Sequence, residues 1–405
     1  MFFYEDLRNI IKKTLYTFKN DKISINKLIS KRNFSVELPN ISGHGDLSTN
    51  VAMLYSKELR LSPTNMAEKI KENLLLQKFI TKVEIKNPGF LNIFLEKSYW
   101  HKQLKNIFLE RSQKNISDAK KVNIEYVSAN PTGLMHIGHA RGAVLGDTIA
   151  SLLNEIGHSV TKEYYINDAG NQIRLLTNTV IFHIENIRKN TEKELSSDLY
   201  PGEYLKNVAK KIFDKNEKIF NEKINSNSFQ NISKDIVDEI LFEIKKDLSD
   251  LGVFHDIFSS EKELTKKEKV SELISLLREK NLIYEGFQEQ PKGTLSNDWK
   301  KEKQLLFKSK TINDDSDRAL IKPDGSLTYF MSDIIYHQQK IKKNFDILIN
   351  VWGIDHSGYV ARITNAVNLI SNNINFVIKL TALVNLIKNK KPLKMSKRRG
   401  VYITL

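Results

Sequence analysis

Residues 122–167 carry a strand, a helix and a second strand in direct succession, and that order restricts the fold more than any other stretch. VNIEYVS (122–128) is apolar and β-branched enough to read as a strand. Helical periodicity runs from about Gly138 to Ile156 and stops at Gly157, a residue suited to the position after a helix end. SVTKEYYIN (159–167) is the next strand. Two strands joined through a helix pair in parallel, with a right-handed crossover. Open parallel sheets take their ligands in the crevice beyond the carboxyl ends of the strands. The expected fold class is therefore α/β, with functional residues expected just after Ser128.

The rest of the chain must fit around that unit. At 405 residues it is too long for one ordinary core, and two or three domains are expected. Charged residues make up 27% of it, which suits a soluble globular protein and leaves no apolar run long enough for a membrane span. The start, MFFYEDLRNIIKK, carries acids early and does not read as a signal peptide. With no cysteine, disulfides and thiolate zinc sites are excluded, and a cytoplasmic setting is expected. The net charge of +15 is unevenly placed: no aspartate or glutamate stands between His356 and Leu405. A polyanionic partner, nucleotide or nucleic acid, accounts for this; a solvated basic face accounts for it equally.

Residues 1–110 read as a small mixed domain. It has a helix over Tyr4–Phe18, a polar loop over 42–53, a helix over 63–75 capped by Ser62, and two short strands around Asn87-Pro88-Gly89. Residues 111–121 read as a linker. A region rich in Lys and Glu, about 175–245, reads as a helical insertion solvated on most faces. FDILINVWG (345–353) reads as a buried strand followed by another helix.

Two stretches carry candidate chemistry. In YVSANPTGLMHIGH (126–139), His136 and His139 sit three apart at the start of the predicted helix, with Gly138 between them. Helix N-termini bind phosphate, glycine lets a planar ring approach the backbone, and residues at i and i+3 share a face. The two imidazoles can donate to phosphoryl oxygens, or be ordinary surface histidines. In KPLKMSKRRG (391–400), Lys394 and Lys397 flank Met395 and Ser396. These lysines can close over a leaving pyrophosphate, or form a basic surface loop.

Together, HIGH (136–139) and KMSKR (394–398) resemble the two signature motifs of class I aminoacyl-tRNA synthetases. SANPTGLMHIGHARGAVLGD (128–147) resembles the arginyl-tRNA synthetases in particular. So do GHGDLSTNVAM (43–53), YYINDAGNQI (164–173), DGSLTYFMSDIIYH (324–337) and VWGIDHSGYVAR (351–362). The resemblance implies a Rossmann-like parallel-sheet catalytic domain over 119–405 with the helical insertion. It also implies a small α+β N-terminal domain over 1–110 that contacts the corner of the tRNA, although GHGDLSTN and NPGFLNI can equally be plain turn chemistry. The implied activity is arginine–tRNA ligation: ATP and L-arginine form arginyl-adenylate, and arginine then passes to the 3′ end of tRNA(Arg). ATP is expected with Mg2+ as its substrate complex, and no protein-bound metal is expected.

Tyr329, Asp333 and His337 are spaced i, i+4, i+8 and share a face if this stretch is helical. A carboxylate can accept a guanidinium bidentately. The resemblance assigns Tyr329 and Asp333 to the arginine side chain. It assigns Ser128, Ala129, Asn130, His139 and Asp355 to the amino acid as well. His136, Gly138, His139, Gly353, His356, Lys394, Met395, Ser396 and Lys397 are the implied ATP residues, with His136, His139, Lys394 and Lys397 catalytic. Glu125 is a further candidate that can equally pair with a basic neighbour in the fold. FHDIFSSE (254–261) departs from the more acidic form usual in the family and leaves Glu261 as its acid.

Family members continue past the second motif with a helical anticodon-binding domain, whereas this sequence ends seven residues after Arg398. A truncated product, a separate anticodon-binding chain and a partial sequence are the alternatives. A monomer is expected. The family commonly needs bound tRNA before it activates arginine. Two other functions compete: a tRNA-independent enzyme adenylating another acid, and a truncated synthetase-like protein without ligase activity.

Overall fold

The computed structural model describes residues 2–18, 25–41, 43–110, 118–220, 224–288, 302–312, 314, 316–371, 373–384, 386–388, 391–393 and 403–405. They form two compact units, Met1–Lys114 and Asn115–Leu405. Among the described residues no helix is long and apolar enough to cross a membrane.

In the first unit, helices Phe2–Thr17 and Pro63–Leu75 bury Leu7, Ile11, Leu15, Met66 and Ile70 in a common core with a four-stranded antiparallel sheet. Ser62 caps the second helix, its hydroxyl accepting from Asn65 N at 3.1 Å. The hairpin Ile80–Lys86 and Phe90–Leu95 turns at Asn87-Pro88-Gly89, as the sequence predicts. The predicted loop over 42–53 is in part regular. Leu47–Thr49 is a strand between Val36–Glu37 and Phe90–Leu95, and Val51–Tyr55 is a short helix. All three strand residues are buried, yet two are Ser48 and Thr49, so no apolar alternation marks the strand. Most of the predicted linker, 111–117, lies outside the described residues.

The second unit opens with the predicted βαβ element: β1 (Lys121–Glu125), α1 (Ile137–Glu155) and β2 (Ser159–Ile166). Helix α2 (Gly170–Lys189) and two further helices, Tyr204–Phe220 and Ser226–Asp250, lead to β3 (Ile257–Ser260). A small antiparallel sheet follows, formed by Ile283–Phe287, Lys303–Phe307 and Arg318–Ile321. Then come α3 (Tyr329–Lys342), β4 (Ile347–Gly353), α4 (Ser357–Ile370) and β5 (Asn375–Thr381). The main sheet has the order β3-β2-β1-β4-β5, with every neighbouring pair parallel. The chain moves outward from β1 to one edge, then returns beside β1 and moves outward to the other. The strand order reverses between β1 and β4, which opens a crevice at their carboxyl ends.

Both faces of this sheet are covered. Leu348 and Phe376 pack with Met331, Ile334, Ile335 and Ile363 of α3 and α4 on one side. Val122, Ile124, Ile349 and Val351 pack with Ala143 and Ala150 of α1 on the other. The helical region after β2, solvated over most of its surface, also contributes to the core of the sheet. Ile173, Leu176, Val180 and Ile184 of α2 join Leu205, Val208, Ile236, Ile240 and Ile244 in the same core as the sheet. Each helix carries one narrow apolar stripe, and three such stripes facing one another make a core that no single helix reveals. The charges stay outside, where Lys211 pairs with Glu239 and Glu243.

Close packing sets the position of α1. A Cβ at Gly146 would lie 2.2 Å from Tyr126 Cγ, whereas one at Gly142 meets nothing within 4 Å. Tyr126 is wholly buried and its hydroxyl donates to Asp147 at 3.1 Å, so its ring has little freedom to move. Gly146→Ala is therefore expected to destabilise the protein by about 1–3 kcal/mol. Gly142→Ala, in open space, is expected to stabilise it by about 0.5–1 kcal/mol. Denaturant midpoints of the two variants check the pair, and equal shifts would contradict the packing argument.

Candidate active site

The crevice is shaped by a turn that leaves β1 against its own preference. Val127 and Ser128 have φ of +68° and +42°, the left-handed region that non-glycine residues avoid. Such residues cost on the order of 1–3 kcal/mol each and persist only where neighbours hold them. Here the Ser128 hydroxyl donates to Glu125 Oε1 at 3.0 Å and accepts from Tyr165 N at 3.0 Å. The Tyr164 hydroxyl donates to the Ala129 carbonyl at 2.7 Å. The turn thus locks to the end of β2, and two cavities open on either side of it. Val127, Ser128, Asn130, Val351, Trp352, Gly353 and His356 line both.

The first cavity, about 530 Å³, is acidic and aromatic. Tyr329, Asp333 and His337 reach it from one face of α3, as their spacing predicts. Thr328 caps that helix, its hydroxyl accepting from Met331 N at 3.3 Å. Glu125 enters from the end of β1 and Glu261 from just after β3. Tyr359 on α4 donates to Asp333 Oδ2 at 2.7 Å. Burial nevertheless pushes the Asp333 carboxyl up to about 7, and the charges of Glu125 and Glu261 push the same way against the Tyr359 bond. Burial also raises the Glu261 carboxyl. Three carboxyls line one cavity, two of them raised by burial, and that surrounding suits a cation.

His337 belongs to the wall beneath this cavity. Its Nδ1 donates to the Asp333 carbonyl at 2.7 Å and its Nε2 accepts from Asn350 Nδ2 at 3.0 Å. Burial and the Lys340 charge pull it down to about 3, so the ring is neutral and occupied on both sides.

The second cavity, about 720 Å³, lies at the start of α1. His136 is the residue before the helix, and its N–H donates to His139 Nδ1 at 3.1 Å. The two rings stack with centroids 3.8 Å apart and planes 18° apart. A ring nitrogen that accepts carries no proton, so His139 holds its proton on Nε2. Gly138, Gly142 and Ala129 also line this cavity. The positive end of the α1 dipole adds to it. Asp355 lines this cavity too, with its carboxylate 3.6 Å from His356. Three residues expected near the amino acid, Ala129, His139 and Asp355, thus border the second cavity and not the first.

Lys394, Met395, Ser396 and Lys397 lie outside the described residues. The chain on both sides of them is described. The strand Lys391–Leu393 pairs with Leu386–Lys388, and Leu386 lines the second cavity. Downstream, Ile137 N donates to the Ile403 carbonyl at 3.1 Å and Leu405 N to the Met135 carbonyl at 3.1 Å. Thr404 therefore sits beside His136 as a β-bridge.

The residues that sequence reasoning passed over are Tyr165, Gln172, Tyr359 and Lys340. Tyr165 stands near the end of β2, Gln172 in the first turn of α2 and Tyr359 in the first turn of α4; their place in stretches that follow or end a strand was the available signal. Among the described residues no group of three or more His, Cys, Asp or Glu is placed to hold a metal ion.

Residues 5–95 match the model of the arginyl-tRNA synthetase N-terminal domain, and residues 103–405 match that of the class I (R) tRNA synthetase catalytic domain. The chain belongs to the arginyl-tRNA synthetase family. An arginine–tRNA ligase of Wolbachia sp. subsp. Brugia malayi is 41% identical over 403 residues, covering 98% of this chain and 70% of the relative. One from Pelagibacter ubique is 43% identical over 381 residues, covering 92% of this chain and 65% of the relative. This arginyl-tRNA synthetase homologue thus spans about two thirds of the length of the curated relatives it matches. The solved Thermus thermophilus arginyl-tRNA synthetase shares its fold with a TM-score of 0.62 at 17% identity, covering 94% of this chain and 66% of that one.

In this family member Asp333 is expected to titrate near 7, well above its ordinary value of 3.8. Carbon NMR of labelled aspartate side chains checks this. Tyr359→Phe removes a donor to the carboxylate and is expected to move the midpoint higher still. A midpoint near 3.8 in the parent protein, or a downward move in the variant, would contradict the site described.

Proposed function

We propose that the protein activates L-arginine with ATP and passes the arginyl group to the 3′ end of tRNA(Arg). The observation that carries this reading is the pair of cavities sharing the Ser128–Asn130 turn and the end of β4. One suits a cationic side chain and the other suits an anion. A zwitterion seated in the first would bring its α-carboxylate to the shared rim, beside the α-phosphate of a nucleotide in the second.

The chemistry then needs little beyond placement and charge. An arginine carboxylate oxygen attacks the α-phosphorus, and the bond to the bridging oxygen of pyrophosphate breaks. Asp333 and Glu261 hold the guanidinium, with Tyr329 packing over it. Ser128 and Asn130 orient the amino and carboxylate groups. Gly138 admits the nucleotide to the start of α1, and His136 and His139 stabilise its phosphoryl oxygens, His139 through Nε2–H. ATP arrives as its magnesium complex, the ion being part of the substrate. Lys394 and Lys397 draw off the charge of the departing pyrophosphate. The anchoring of residues 391–393 and 403–405 at the second cavity supports that role, because the stretch between them starts and ends there. In the second step a ribose hydroxyl of tRNA attacks the arginyl carbonyl carbon, and AMP leaves.

Arginine-dependent exchange of pyrophosphate into ATP, with and without tRNA(Arg), tests the reading. Asp333→Asn keeps the shape and removes the charge. It is expected to lower kcat/KM for arginine by about a hundredfold or more, since charge-assisted bonds contribute about 1.5–3 kcal/mol each, while the KM for ATP holds. Folded protein with no exchange in either condition would favour a non-enzyme. Exchange driven by another acid, indifferent to Asp333, would favour the tRNA-independent adenylating enzyme.

A further inference from the structure

Beneath the first cavity lies a charge that no ligand touches. Lys340, two turns beyond Asp333 on α3, is wholly buried. Its ammonium donates to Glu125 Oε2 at 3.2 Å and to Asn350 Oδ1 at 3.4 Å, and it lies 4.1 Å from the centroid of the Tyr336 ring. Glu125 is the hub. Its other oxygen accepts from Ser128, the strained residue at the rim of both cavities. A continuous path therefore runs from α3, which carries Asp333, through Lys340 and Glu125 to the turn on which both cavities rest. Breaking a buried pair from one side leaves an uncompensated charge and is costly.

We infer that Lys340 is a positioning residue for arginine recognition: its ammonium pairs with Glu125, holds that side chain toward Ser128, and sets positive charge beneath the acidic cavity. This rests on the function proposed above and adds to it a residue outside the ligand's reach. The surroundings fit. Burial alone would raise Glu163, yet the Lys340 charge, with hydrogen bonds from Ser259 and Asn123, holds it below the usual carboxylate range. The same ammonium opposes the upward push on Asp333. Of the other groups that face the cavity, Glu261 enters from beyond β3, Tyr165 from β2, and His356 and Tyr359 from the start of α4. Arg362 of α4 is paired with Asp314, and His337 is neutral, so neither replaces Lys340 as the source of positive charge.

Calorimetric binding of arginine to the folded chain, from pH 5.5 to 8.5, tests the inference. In the parent, affinity is expected to rise with pH and level off above about 7, as Asp333 loses its proton. In Lys340→Met the midpoint is expected to move up by about one pH unit. Affinity for arginine at pH 7 then falls about fivefold, by more than any change in the affinity for ATP. Where the single variant fails to fold, Lys340→Met with Glu125→Gln removes both charges. Its midpoint is expected near that of the parent, because the attraction and the repulsion felt by Asp333 leave together. A lowered Tm with an unmoved midpoint in Lys340→Met, or a midpoint still displaced in the pair, would overturn the inference and leave Lys340 a structural residue. Parent protein that binds no arginine at any pH would instead refute the proposed function.

Discussion

Everything at the site follows from the divergence of β1 and β4. These strands are parallel neighbours, yet the chain leaves them toward opposite edges of the sheet. Among the described residues no connection crosses the gap above them, and their carboxyl ends face an open crevice. The crevice is divided into two chambers by the turn at Val127 and Ser128, which is where the backbone strain is stored. Rigid strand ends on both sides make that strain tolerable. A loop on the surface would relax, whereas a turn bonded to Glu125 and Tyr165 cannot.

The two chambers differ in lining. One gathers Glu125, Glu261 and Asp333; the other gathers a helix N-terminus and two imidazoles, with Asp355 beside His356. Adjacent chambers that differ in charge orient a ligand pair before any specific bond forms. The acidic chamber is costly when empty. A carboxyl whose folded value lies near 7 favours folding only while protonated, fully below its unfolded value near 3.8 and no longer once pH has risen through about 7. At neutral pH the empty chamber therefore gives up stability that an arriving cation restores. Binding and deprotonation are coupled in one direction: the cation releases a proton as it enters.

How much of this could be read beforehand depended on how local the signal was. The βαβ unit was legible from periodicity, the shared face of Tyr329, Asp333 and His337 from their spacing, and the histidine pair from its place at a helix start; the arginine role of that face came from the family resemblance. Which chamber Asp355 and His139 border was not legible, because sequence order does not say which side of the crevice a residue faces. The core formed by the helices after β2 was illegible for a related reason. The apolar stripes of Ile173–Ile184 and Ile232–Leu248 are unremarkable alone and become a core only by facing each other. Lys340 was hidden most completely. A lysine in QQKIKK reads as solvent-facing, and only the tertiary placement of Glu125 and Asn350 makes burial of its charge tolerable.

On the proposed function, that burial also bears on the choice of a guanidinium over an ammonium in the acidic chamber. A lysine ligand offers one compact charge on three donors, and it can neutralise one carboxylate well. Asp333 on α3 and Glu261 beyond β3 reach the cavity from different elements, and one donor of the Asp333 carboxylate is already Tyr359. A planar cation with five donors can bridge carboxylates on two elements at once, where a point charge leaves one unpaired in a dry site. The unpaired group then carries the desolvation penalty, and discrimination of that kind is strong because it acts through what the wrong ligand fails to satisfy. Lys340 and Ser128 already engage the two oxygens of Glu125, which leaves Asp333 and Glu261 as the less encumbered carboxyls of the cavity. A buried lysine of the protein's own thus restricts where a second cation can bind, and the shape of the remaining acceptors favours the fork over the point.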